Sequence, residues 1–269
     1  MNQFFSFKRF SLLVSKHWAD NKKRYSLSVL AFIGLLITWF VFTMLAGFDR
    51  PMVEEIQMIT FYLSLFAVGS FYASQYFSDL GSRAKGINFL LVPASAFEKL
   101  LCSLLYTVVL FFVVFLTTFY LVDTLMVVIA NSFPRVPKTS VLNIFNVVVV
   151  PVNLDATINF LLFFFAVQSA FLLGSVYFEK FSFIKTIISC FVAGFILFCV
   201  MYFFGTKFLP NGDYPKGFLN AYRVYIDGEN DRLVQLPDWI GQVLRFIVFY
   251  TIAPFLWVVT YYRLKEKQV

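Results

Sequence analysis

The chain has 269 residues, of which 60% are hydrophobic and only 14% charged, with 38 Phe and a formal net charge of +7. A sequence this apolar cannot hide its side chains inside one water-soluble domain, so its natural solvent is a bilayer. A single histidine and the lack of a GxxxxGK[ST] loop argue against haem, di-iron or multi-His zinc chemistry and against nucleotide binding by that loop.

Taken from the N-terminus, residues 1–26 carry helical periodicity with two faces. Phe4, Phe7, Phe10, Val14 and Trp18 share an arc of about 120°, with Lys8, Arg9 and Lys16 opposite. This pattern predicts an amphipathic helix lying in the membrane interface, its aromatic face in lipid. Lys22, Lys23 and Arg24 mark where the chain is expected to turn into the membrane. His17, the sole histidine, reads as an ordinary interface residue.

A spanning helix needs about 20 apolar residues at a rise of roughly 1.5 Å each. Six segments meet or approach that length, near 27–47, 57–77, 100–122, 157–178, 184–205 and 243–262. The expected fold is therefore all-α, one integral membrane domain over 1–269. The first segment has no small-x-small cleavage site and reads as a retained anchor. The fourth and fifth are separated only by residues 178–185, which predicts a tight helical hairpin. Outer segments are expected at 123–156, as a compact cover, and at 206–242, as short helices on the membrane surface.

Lysine and arginine set the orientation. With the N-terminus inside, inner segments hold 14 basic residues and five acids, and outer segments eight and ten, giving +9 inside and −2 outside. Both termini are expected on the cytoplasmic side. The basic balance follows topology and anionic lipid, so nucleic acid is not an expected partner.

Within the spans, small residues recur every four positions. Gly69 and Ala73 in the second, and Ala166, Ala170 and Gly174 in the fourth, predict ridges where helices approach closely. Gln168 and Ser169 sit mid-membrane and read as interhelical bonds, Pro254 predicts a kink in the last span, and Arg245 is expected to snorkel to the surface. Cys102, Cys190 and Cys199 lack metal-ligand spacing and read as small apolar residues. No metal or directly bound cofactor is expected, and convergent catalytic groups are too scarce for an enzyme.

The inner segment 78–101, SDLGSRAKGINFLLVPASAFEKLL, interrupts the membrane pattern. Between the charges at Asp79, Arg83 and Lys85 and those at Glu98 and Lys99 lie Ile87, Phe89, Leu90, Leu91 and Val92, predicting a short helix tucked against the bilayer. Pro93 breaks it, and Ser95 with Glu98 three residues later forms a capping-box pattern starting a new helix at about Ala96.

At these residues the chain resembles membrane permease subunits of ATP-binding-cassette exporters of the second type, particularly the short six-span permeases of Bacteroidetes-like bacteria. The resemblance rests on KGINFLLVPASAFEKL: Lys85-Gly86, Pro93-Ala94-Ser95 and Glu98-Lys99. It implies that 79–91 is a coupling helix docking into a separate ATPase, with Asp79, Arg83, Lys85, Gly86, Phe89 and Glu98 carrying the contact. It further implies a working unit of two permeases, identical or homologous, with two ATPases that hold ATP-Mg, in a bacterial cytoplasmic membrane. The competing expectation is a polytopic scaffold or immunity-type protein that binds another membrane protein without ATP.

Overall fold

The computed structural model describes residues 5–46, 54–81, 83–133, 138, 140–142, 154–208, 221–226, 230–235, 243 and 246–267. Eight α-helices are described: α1 (Phe7–Leu45), α2 (Glu54–Gln75), α3 (Arg83–Leu90), α4 (Ala96–Leu104), α5 (Phe111–Asn131), α6 (Leu154–Tyr177), α7 (Ser182–Phe208) and α8 (Ile252–Glu266). A 3-10 turn, Ser78–Gly81, joins α2 to α3, and π-helical turns occupy Leu105–Leu110 and Phe246–Thr251. Five stretches are long and apolar enough to cross a membrane: Phe7–Leu45, Glu54–Gln75, Ala96–Asn131, Phe160–Tyr177 and Ser182–Val200. The sixth sequence segment is helical over Phe246–Glu266, but only its last 15 residues form regular α-helix.

Three boundaries differ from the sequence reading. Instead of an interfacial helix that turns at Lys22–Arg24, α1 runs unbroken for 39 residues. Charge changes at that point, but neither proline nor glycine occurs between Phe7 and Ile33, and Lys and Arg are good helix formers. α5 continues nine residues past Val122 to Asn131, so the outer segment expected from residue 123 begins later. Of 123–156, residues 134–137, 139 and 143–153 lie outside the described residues.

The third difference is in 206–242. Ala221–Ile226 and Asn230–Gln235 pair antiparallel, with Ile226 opposite Asn230, rather than forming helices. AYRVYI alternates Tyr222, Val224 and Ile226 with other residues, a strand pattern of aromatic and β-branched side chains.

The core is largely phenylalanine. Phe40, Phe61, Phe119 and Phe164 are fully buried, together with Phe32, Leu65, Phe111 and Phe115, from α1, α2, α5 and α6. Tilted and edge-on rings, such as Phe61 on Phe119 at 5.1 Å, let bulky side chains fill the space between helices. Small residues bring backbones together elsewhere. A Cβ at Gly69 would stand 2.7 Å from the Phe164 ring, and one at Gly174 would stand 1.9 Å from Thr186 Oγ1 on α7. Ala73 and Ala166 are buried, and Ala170 is half-buried on the same ridge.

The π turns have visible causes. Pro254 lies three residues past the Phe246–Thr251 turn; it lacks an N–H and crowds the preceding carbonyls, which widens the turn before it. At the other turn, Gln168 Nε2 from α6 donates to the Thr107 carbonyl, so a buried amide satisfies an acceptor on the π segment. Ser169 bonds within its own helix, to the Ala166 carbonyl. Arg245 lies outside the described residues.

One end of the bundle gathers both ends of the described chain. Leu264 of α8 packs with Phe77, Ala96 and Val176, and Arg263 lies 4.6 Å over the Tyr177 ring. α3, the α6–α7 turn and the start of α1 meet there too.

Candidate functional site

At this end α3 is held from several sides. The 3-10 turn before it touches the α6–α7 turn so closely that a Cβ on Gly81 would stand 1.8 Å from the Glu179 carbonyl oxygen. Gly86 is buried over the preceding turn, its hypothetical Cβ 3.3 Å from the Leu80 carbonyl. Phe89 stacks edge-on against Phe77 at 5.9 Å, and the Lys99 ammonium sits 5.2 Å over its ring. Outward, Ile87 and Leu91 are 57% and 74% exposed.

The capping box at the start of α4 is present. Ser95 Oγ accepts from the Glu98 N–H at 3.1 Å, and Glu98 Oε2 accepts from the Ser95 N–H at 2.9 Å. The same carboxylate reaches further. Its Oε1 accepts from the Ser6 N–H at 2.7 Å and from Arg9 Nε and Nη2 at 3.2 and 3.0 Å. Glu98 is thus a fully buried anion between the N-termini of α1 and α4, where both helix dipoles favour negative charge. It clamps α1 onto α4 rather than presenting itself to a partner.

The six residues expected to carry coupling therefore separate. Gly86 and Phe89 anchor α3 from beneath, and Glu98 is the interhelical clamp. Asp79 is half-buried and lines a cleft between α1 and α2. Arg83 and Lys85 belong to α3, but their side chains lie outside the described residues. Of the aromatic face expected in lipid, Phe7 and Trp18 are exposed, whereas Phe10 and Val14 pack on Leu13, Cys102 and Tyr106. The reason is the partner surface that α4 offers along the first turns of α1. Phe4 lies outside the described residues.

Sequence reasoning missed a cluster around His17. Its Nε2 bonds the Tyr25 hydroxyl, and its ring lies 4.8 Å from that of Tyr76 and 4.5 Å from that of Tyr106. Tyr106 in turn donates to the Val14 carbonyl at 2.9 Å, and Tyr72 sits 5.6 Å from Tyr25. The available signal was the four-residue spacing of Tyr72, in the last turn of α2, and Tyr76 just past its end, and of His17 and Tyr25 eight residues apart on α1.

Among the described residues no group of three or more His, Cys, Asp and Glu gathers to hold a metal ion. No family profile, curated protein or solved structure matches the chain.

Proposed function

We propose that the chain is the membrane permease subunit of an ATP-binding-cassette exporter, in which α3 is the lever that docks on a separate ATPase. In this reading all six apolar segments span a bacterial cytoplasmic membrane and the end bearing α3 faces the cytoplasm, as the excess of inner lysine and arginine favours. Two permeases, whether copies or homologues, enclose the substrate path. The partner ATPase binds and hydrolyses ATP-Mg, and this chain performs no catalysis.

The observation that carries the reading is the mounting of α3. Its outer face exposes Ile87, and Leu91 just past its end is exposed too, while its inner face is wedged against Phe77 and Lys99 and the 3-10 turn before it meets the α6–α7 turn at Gly81. A push on such a helix moves α2, α4 and the α6–α7 pair as bodies, because packed helices shift between discrete arrangements rather than deform continuously. The Glu98 clamp adds α1 to the set. A free-swinging loop would dissipate the same displacement.

The test is extraction in a mild detergent through an affinity tag on the full chain, followed by identification of co-purifying proteins. An ATP-binding protein bearing a phosphate loop, lost when Ile87 and Leu91 are both changed to Asp or when Arg83 and Lys85 are reversed to Glu, is expected. Recovery of an unrelated membrane protein in its place, insensitive to these changes, would favour the scaffold reading.

A further inference from the structure

A cleft of about 810 Å³ opens between α1 and α2 near α3, within the size range of small-molecule sites. Its chemistry is graded along the helix axes. At the end near the chain termini it is lined by Lys16, Asp20, Arg24 and Asp79; towards the middle of the bundle it is lined by Phe32, Leu35 and Phe71. α1 and α2 run in opposite directions, yet their polar lining meets at one level, Arg24 Nη2 donating to Gln75 Oε1 at 3.0 Å. From Arg24 to Leu35 is 11 residues, about 16 Å of helix, or roughly half the hydrocarbon thickness of a bilayer. With Arg24 at headgroup level, Leu35 lies near the midplane.

We infer that this cleft holds one zwitterionic phospholipid of the adjoining leaflet, with an ammonium-bearing headgroup between the charges and an acyl chain against Phe32, Leu35 and Phe71. On the rim Lys16 and Asp20 set a cation and a carboxylate one helical turn apart, the two signs that an ammonium and a phosphate group on one molecule require. Lys16 and Arg24 flank Asp20 at four-residue spacing on α1, yet among the described residues neither Lys16 nor Asp20 closes an ion pair. Tyr25, Tyr72 and Tyr76 border the same space. A purely anionic headgroup would satisfy Lys16 but meet the Asp20 carboxylate unfavourably. The inference needs only the cleft and a surrounding bilayer, so it stands apart from the permease reading.

The full chain in a neutral detergent is mixed with equal amounts of phosphatidylethanolamine and phosphatidylglycerol bearing the same acyl chains, and retained lipid is counted by native mass spectrometry. One phosphatidylethanolamine is expected, favoured by about tenfold, a difference of roughly 1.4 kcal/mol. Changing Asp20 and Asp79 together to Asn is expected to abolish the preference while leaving some lipid bound; Arg24→Gln is expected to reduce retention of both lipids. Soluble phosphoethanolamine at equal concentration is expected not to displace the lipid. Equal retention of the two lipids by the unaltered chain, or displacement by the soluble headgroup, overturns the inference, and the unaltered chain alone suffices for both measurements.

Discussion

Replacing Glu98 by Ala is expected to unfasten α1 from α4. The carboxylate accepts from two backbone N–H groups, those of Ser6 and Ser95, and from two nitrogens of Arg9. Hydrogen bonds to a charged group contribute about 1.5–3 kcal/mol each, and the two backbone donors are freed at helix N-termini. The Arg9 side chain is 38% exposed, so its pairing is screened and adds under about 1 kcal/mol. These contributions are not additive; a total loss of about 3–5 kcal/mol agrees with the effect of breaking a buried pair from one side. At about 2–4 °C per kcal/mol for a chain of this size, the melting midpoint in detergent should fall by at least about 6 °C. Cys102 supplies a local readout, because it is 1% exposed and packs with Leu13 of α1. A thiol-reactive dye should label it well below global melting in Glu98→Ala, and Arg9→Ala should shift the midpoint far less. An unshifted midpoint with Cys102 still protected would refute the clamp.

Glycine contacts separate by what they meet. Gly81→Ala should cost about 1–3 kcal/mol, because the added methyl collides at 1.8 Å with the Glu179 backbone, whereas Gly69→Ala meets side-chain ring atoms of Phe164 and Phe111 at 2.7 Å and beyond and should cost less than Gly81→Ala. Melting curves of the two variants check the order, and the reverse order would contradict the close contact of the two turns. Gln168→Leu should cost about 1 kcal/mol, typical of an interhelical bond within a membrane, through loss of its bond to the Thr107 carbonyl. A variant as stable as the parent would show that the π segment does not depend on that amide.

Features set by local pattern were legible in the sequence. Runs of apolar residues gave the long helices, Ser95 and Glu98 announced their own capping box, and the Gly69–Ala73 and Ala166–Gly174 ridges fall where helices approach. What the sequence hid depends on distant partners. Glu98 reads as a cap residue, and nothing near it reveals that Ser6 and Arg9, about 90 positions away, share its other oxygen. His17 reads as a surface histidine until Tyr76 and Tyr106 arrive from two other helices. The continuity of α1 was misread because a charge cluster marks a change of solvent, not a break in helix propensity. The hairpin at Ala221–Gln235 had its signal in alternating aromatic and β-branched residues, overridden by the expectation of helices throughout.

The central claim is that α3 transmits force from an ATPase, and ATP hydrolysis by the complex isolated through this chain tests it most directly. The complex reconstituted in lipid vesicles is predicted to hydrolyse ATP, and the complex from the Leu91→Asp variant to lose most of that activity and its ATPase subunit together, while the variant chain still inserts and melts like the parent. Full hydrolysis with the ATPase retained in Leu91→Asp and in the Ile87→Asp, Leu91→Asp double variant, or no ATPase activity in any preparation, would contradict the account.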